Sequence, residues 1–289
     1  HAQVYENIIS IAQHFQAIGY RVALIGKQHY APLENFPFEY LGGRNSDNGD
    51  GIDIELMDAE KYINTHPQFS KNRGTTDCSM WPITHSDSLK HLTTFLNTRF
   101  SNFGKYQDAI SQDHVILFHS AISPMMNIGL ITPEQVIKHT MAYATKHKIA
   151  INNVEGFIRQ IVGWREYMRF CYMYRYPEII RSNTFKLTRT FKDWDAWYNG
   201  TTGINIIDTE IQKANKYGWS HHIIRLMVFL NIMILLEIRP DHIYKWFMEV
   251  VPMDAYDWVM KSNIYCMGYF YDKAMVKVYI STSNYLRRM

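Results

Sequence analysis

The stretch Val154-Glu-Gly-Phe-Ile-Arg-Gln-Ile-Val-Gly-Trp-Arg-Glu-Tyr-Met-Arg-Phe-Cys171 decides the fold. Phe157, Ile161, Trp164, Met168 and Cys171 recur at spacings of 4, 3, 4 and 3, which marks one apolar helix face. The opposite side carries Arg159, Arg165, Glu166 and Arg169. Glu155 precedes Arg159 by one helical turn, an ion-pair spacing. Asn152-Asn-Val-Glu155 reads as a capped helix start. A Trp, three Arg and Gln160 on one amphipathic helix suit a cleft for a flat anionic ligand. The plainer reading is a solvated helix face, and the stretch alone leaves both open.

Helices flank it on both sides. Leu89, Leu92, Phe95 and Leu96 form an apolar face behind a Thr84-x-x-Asp87 start, and Thr132-Pro-Glu-Gln135 is a capping signal with Pro at the first position. Downstream, a run from about His221 to Glu237 is apolar nearly all round, so other elements should surround it. Pro240 is expected to stop it, with a short helix near Tyr244–Glu249 and an aromatic, irregular tail from Ala255. At the other end, Tyr5, Ile8, Ala12 and Phe15 fit a helix closed by Gly19. Tyr20-Arg-Val-Ala-Leu-Ile25 fits a buried strand. Residues 31–83 are weakly patterned and read as a linker. The Gly42–Gly51 run is loop chemistry whose glycine spacing and flanks do not fit a calcium-binding EF-hand.

The 289 residues are 47% hydrophobic and 20% charged, which excludes a disordered chain and supports a sizeable core. Aromatics make up 15%, an excess whose use composition does not settle. The formal charge of +3 permits nucleic-acid binding without demanding it. Cys78, Cys171 and Cys266 are far apart in sequence and form no CxxC pair, so neither a zinc site nor a redox dithiol motif is read. The longest apolar run, Leu226–Leu236, is too short to span a membrane. No signal peptide is visible, and the start at His1 reads as a trimmed or partial chain.

Two further segments carry candidate chemistry. Phe118-His-Ser-Ala-Ile-Ser-Pro-Met-Met-Asn-Ile-Gly129 places hydroxyls and turn amides where phosphate binds well, although a structural turn is the simpler reading. In Gly218-Trp-Ser-His-His-Ile-Ile-Arg-Leu226, adjacent histidines diverge by about 100° on a helix and make poor joint metal ligands. Arg225 in that apolar helix needs an anionic partner, and Asp254 is the candidate.

Read together, these segments resemble the cryptochrome/photolyase family, and within it the prokaryotic (6-4) photolyase, or deoxyribodipyrimidine photolyase-related, branch. The resemblance rests on Trp81-Pro-Ile-Thr, Phe103-Gly-Lys-Tyr-Gln-Asp-Ala109, the His-Ser-x-x-Ser-Pro turn, the 154–167 stretch and Gly218-Trp-Ser-His-His. It extends to Asp254-Ala-Tyr-Asp-Trp258 and Tyr279-Ile-Ser-x-x-Asn-Tyr285. It covers roughly residues 80–289 in consistent order. It implies a mainly α fold: a photolyase-type FAD-binding helical domain over 84–289, a linker over 31–83, and a short α/β remnant of the antenna domain over 1–30.

The resemblance also implies site residues. His119, Ser120 and Ser123 would lie near FAD phosphates, with Gln160, Trp164 and Arg165 in the cradle. Arg225 and Asp254 would pair beside the flavin ring, and Asn263 would sit at its edge. His221 and His222 would serve as catalytic residues facing a lesion pocket shaped by Leu226, Met267, Tyr279 and Tyr285. Trp246 and Tyr198 would relay electrons. The implied cofactor is FAD and the implied partner is UV-damaged DNA. The implied setting is intracellular, cytoplasmic or nucleoid-associated, with no membrane contact. Several positions depart from the branch. Ile206 stands at the first cluster cysteine, Met260-Lys-Ser-Asn263 replaces a Glu-Leu-Pro-Asn string, a Gly-Gly step before the final tyrosines is missing, and Val278 replaces a Pro. No iron–sulfur cluster, no other metal and no antenna chromophore are therefore expected. The competing readings are a degenerate relative that binds flavin or DNA without repair, and a structural helical protein with no cofactor.

Overall fold

The structure, a computed structural model, describes residues 59–69, 73–76, 80–253, 261–276, 278–281 and 284 in full. It describes the backbone of 2–3, 23–24, 30–31, 39–40, 52–58 and 257–260. The chain divides into two compact units, His1–Asn72 and Arg73–Met289.

In the first unit β1 (Ala2–Gln3) pairs in parallel with β3 (Tyr30–Ala31), and β2 (Ala23–Leu24) pairs in parallel with β4 (Glu39–Tyr40). β2 falls inside the strand expected at 20–25, while the helix expected over 5–18 lies outside the described residues. The 31–83 stretch is not irregular throughout, because α1 spans Ile52–Thr65. Its Glu55, Leu56, Met57, Ala59, Glu60 and Lys61 are strong helix formers, a propensity signal that the weak apolar pattern hid.

The second unit is helical. α2 (His85–Thr98) starts where Thr84 Oγ1 accepts from the Asp87 amide at 3.1 Å, and it buries Leu92, Phe95 and Leu96. Short α3 (Phe103–Tyr106) and α4 (Ser123–Asn127) follow. α5 (Pro133–His147) opens on the expected capping box, Thr132 with Gln135. α6 (Ile151–Ile158) runs through a π-helical stretch, Arg159–Arg165, into α7 (Glu166–Ile179). After α8 (Trp194–Asn199) and α9 (Asn205–Tyr217), a second π-helical stretch, Ile224–Leu230, leads into α10 (Asn231–Leu235). α11 (Pro240–Val250) and α12 (Asp257–Met267) complete the unit.

Three expectations are corrected. No asparagine side chain caps α6; instead Asn153 is buried. Its Oδ1 accepts from the Gly104 amide at 2.7 Å and its Nδ2 donates to Ser101 O at 2.9 Å, so it ties α6 to the start of α3. Pro240 does not merely stop a helix. It occupies the first turn of α11, where its missing N–H costs nothing. The tail is not irregular from residue 255, since α12 packs along α7 there. The 221–237 run is buried on Val228, Phe229, Leu230 and Met233, but Leu235 and Leu236 at its end are exposed.

The apolar faces gather into two cores. One joins α2 to α6 around Phe95, Phe103 and Phe157, with ring centroids 5.0–5.7 Å apart. The other joins α7 and α9–α12 around Trp246, Phe229 and Phe247. Burying these aromatics is the main stabilising term. The two π stretches run past the seam between the cores.

Candidate functional site

A cavity of about 350 Å³ opens at that seam. Phe103, Ile122, Met126 and Phe157 line it from the first core, and Met168, Phe247, Ile264 and Met267 from the second. The first π stretch contributes Gln160, Ile161, Trp164 and Arg165; the second contributes Arg225 and Leu226. Wide helical turns of this kind concentrate at functional sites, because they push side chains off the regular helix face. A mostly apolar wall with a few convergent polar groups is the general form of a small-molecule site. An open groove of about 490 Å³ adjoins it, bordered by Gln107, Gly156, Arg159, Gln160, Gly163, Trp164 and Tyr167.

Twelve residues singled out in the sequence border this one cavity: His119, Ser120, Ser123, Gln160, Trp164, Arg165, His222, Arg225, Leu226, Asn263, Met267 and Tyr279. Trp164 Nε1 donates to Asn263 Oδ1 at 3.2 Å, so two expected cofactor residues from distant helices meet. Arg165 Nη1 donates to Asn127 Oδ1 at 3.2 Å. Asp254 and Tyr285 lie outside the described residues.

The three histidines converge, with ring centroids 4.5–5.4 Å apart, yet they are chemically distinct. His119 Nδ1 accepts from the Ala121 amide at 3.0 Å, which leaves the proton of the neutral ring on Nε2. Burial, reinforced by His221, His222, Arg225 and Arg99, pushes its pKa well below the usual imidazole range. His221 does not border the cavity. Its Nδ1 accepts from the Ile223 amide at 3.2 Å and its Nε2 lies 3.1 Å from Gln107 O, so both nitrogens are occupied internally. Burial first, then His222 and Arg225, lowers its pKa to about 3. His222 borders the cavity and pairs through Nε2 with Asp108 Oδ1 at 2.9 Å. Its Nδ1 is buried with no hydrogen-bond partner among the described residues. The hydrogen bond from His222 holds the Asp108 carboxyl below the ordinary range.

The two expected relay residues lie away from the cavity wall. Trp246 is fully buried, its Nε1 donates to Trp197 O at 2.9 Å, and its ring stands 6.1 Å from Trp197 and 5.1 Å from cavity-lining Phe247. Tyr198 stacks on Trp194 at 5.6 Å and donates its hydroxyl hydrogen bond to Glu249. Burial, with that carboxylate second, raises the phenol pKa.

The sequence reading gave no role to Asp108 or Asn127. Both lie inside quoted strings, Phe103–Ala109 and Phe118–Gly129, which was the signal present. Among the described residues no three His, Cys, Asp or Glu side chains converge as a metal-binding group. Among them, too, no helix is long and apolar enough to cross a membrane.

Residues 157–272 match the family model described as the FAD binding domain of DNA photolyase. That span contains both π stretches. A (6-4) photolyase of Agrobacterium fabrum is 35% identical over 242 residues, which cover 83% of this chain and 46% of that protein. The chain belongs to the cryptochrome/photolyase family. An uncharacterized protein of Acanthamoeba polyphaga mimivirus is 40% identical over 116 residues, 40% of this chain and 87% of that protein. Among solved structures, a bacterial class III photolyase from Agrobacterium tumefaciens matches with a TM-score of 0.58 at 23% identity. The match covers 80% of this chain and 45% of that one, and it bears out the helical photolyase-type fold. The chain thus spans about half the length of these two photolyases.

Proposed function

We propose that this photolyase-family chain is a flavoprotein that holds FAD in the seam cavity and acts on UV-damaged DNA under light. The observation that carries the reading is the meeting of both π stretches at one cavity bordered by twelve of the expected residues. The fit is chemical. The wall is largely apolar, as a flat ring requires. Arg165 and Arg225 supply cations, and Asn127 Nδ2 and His222 Nδ1 are buried beside it without partners among the described residues. Bound FAD, when reduced and excited by light, would supply an electron to a DNA photoproduct.

The chain's own residues do the rest. Ser120, Ser123 and Arg165 hold the anionic part of the cofactor, while Gln160, Trp164 and Asn263 frame the ring with Arg225 and, by resemblance, Asp254. His222 is the proton donor to the lesion. Asp108 accepts from Nε2 and fixes the ring. His221 supports the wall and delivers no proton to the lesion, a narrower role than the pair of catalytic histidines first implied. Leu226, Met267 and Tyr279, with Tyr285 by resemblance, shape the lesion side. Trp246 and Tyr198 relay electrons toward the cavity. The cofactor domain is assigned to 84–289, and residues 1–30 to a remnant of the antenna domain. Neither an iron–sulfur cluster nor an antenna chromophore is assigned to this chain.

A second reading, flavin or DNA binding without repair, is favoured by one observation: Met260-Lys-Ser-Asn263 stands in place of the branch's acidic string. The purified protein should show flavin absorption in the visible, and a colourless preparation that FAD cannot reconstitute refutes the first reading. Flavin content without light-driven repair of damaged oligonucleotides selects the second.

A further inference from the structure

Cys171 and Cys266, far apart in sequence, meet in the second core. Cys171 lies in α7 and Cys266 near the end of α12, and these two helices share the most extensive helix–helix contact among the described residues. Both thiols are free. They hydrogen-bond to each other, and that bond is the largest influence on either one. It lowers the pKa of Cys171 and, with burial second, raises that of Cys266. Cys266 is therefore the donor, and Cys171 carries the more anionic sulfur, the form that reacts. Tyr167, one turn earlier on α7, also hydrogen-bonds Cys171 and borders the open groove. Cys171 keeps 3% of its surface exposed and Cys266 keeps 0%, so a small oxidant arriving from the groove meets Cys171 first. Plain core packing asks only for two buried sulfurs; it asks neither for contact between them nor for this polarity.

We propose that Cys171 and Cys266 form a modification site, a thiol pair that hydroperoxides convert reversibly into a disulfide clamping α7 to α12. The Cys171 thiolate attacks one peroxide oxygen and the O–O bond breaks. The leaving oxygen takes a proton and departs as water or alcohol, which leaves a sulfenic acid on Cys171. Cys266 then attacks that sulfur. The S–S bond forms, the S–O bond breaks, and the hydroxide leaves as water with the Cys266 proton. Two electrons pass from the sulfurs to the peroxide. Thiols already in contact close the bond without a large helix movement. The clamp lies behind the seam cavity, since Met168 and Met267, on the same two helices, border it. It needs no bound cofactor.

The test is peptide mapping of the native wild-type chain after hydrogen peroxide treatment and blocking of the remaining thiols. A linked peptide pair carrying Cys171 and Cys266 should form, and a dithiol reductant should remove it. The oxidised chain should melt about 5–10 °C higher than the reduced one. In Cys266→Ala, Cys171 should stop at the sulfenic acid and take a dimedone label. In Cys171→Ala, Cys266 should stay unlabelled. Both thiols still free after Cys78 has been oxidised would overturn the site, as would a link from either one to Cys78 in place of the pair. A lower melting point on oxidation would overturn the fit of the clamp to the native helix packing. Dimedone on Cys266 in Cys171→Ala would overturn the assigned order of attack. Should either variant fail to fold, the wild-type map decides the pairing by itself.

Discussion

Acid should destabilise this protein well above the carboxylate range, and His221 should account for a measurable share. The imidazole is buried, both of its nitrogens are engaged, and its pKa falls from 6.5 to about 3 on folding. Below pH 6.5 the unfolded chain takes up a proton at this position that the folded chain refuses. The unfolded state therefore gains as pH falls, and stability that is whole above 6.5 drains as pH drops toward about 3. Each pH unit in that window costs about 1.4 kcal/mol per histidine, so moving from pH 7 to pH 5 removes about 2 kcal/mol through His221 alone. His119 and His91, whose pKa values are also lowered mainly by burial, act in the same direction. The Asp108 carboxyl, held low by its His222 hydrogen bond, adds to the loss only in the ordinary carboxylate range, below the pH 7 to pH 5 steps assayed. The perturbation is His221→Gln, which keeps an N–H donor for Gln107 O. The assay is urea denaturation of wild type and variant at half-unit steps from pH 7 to pH 5. The variant should start about 1 kcal/mol less stable at pH 7, from the lost acceptor for the Ile223 amide, and should fall less steeply by up to one proton. Two parallel curves would refute the assignment of His221 as a neutral, internally bonded ring.

Other outcomes follow from the same geometry. Asn153→Ala should cost about 2–4 kcal/mol in denaturation, because it strands the Gly104 amide and Ser101 O together. Gly104→Ala should destabilise at least as much, since a Cβ there would sit 2.4 Å from Asn152 O, a backbone atom that cannot step aside. With flavin content unchanged, Asp108→Asn should reduce light-driven repair by loosening the His222 ring, and His222→Asn should reduce it at least as much. A repair profile indifferent to Asp108→Asn would detach the carboxylate from the proton donor.

Much of the helical frame was legible because it is written locally. Thr84 and Thr132 cap where hydroxyl, Pro and Gln spacing said they would, and Phe157, Ile161, Met168 and Cys171 are buried as their period required. What failed locally was overridden by distant partners. Asn153 looked like a cap and instead reaches Gly104 and Ser101, about 50 residues back. The π stretches left no local mark, since a widened turn depends on how the helix meets its neighbours. The site divides the same way. The resemblance gathered the cavity residues in advance, but His221 and His222 are indistinguishable as letters. Only Asp108, 114 residues away, and Gln107 beside it tell the paired ring from the sealed one.

The electrostatics of the cavity then follow from that division. Arg165 and Arg225 border it and Arg99 fastens the neighbouring loop through His119 O, whereas Asp108 is the acid paired to a cavity histidine. Burial first, and then the positive field of neighbouring cations, favours the neutral forms of the imidazoles, which is the direction found for His119 and His221. The same field favours an anion. Asp108 is hydrogen-bonded directly to His222, whereas at His221 its charge is outweighed by burial and the neighbouring cations. His222 is therefore the cavity histidine held by a carboxylate, while His119 and His221 are held by backbone groups. The arrangement needs the carboxylate outside the cavity, on the far nitrogen, because an acid on the cavity wall would repel the phosphate that the arginines attract. Asp108 meets that condition: it touches Nε2 of His222 and does not line the cavity.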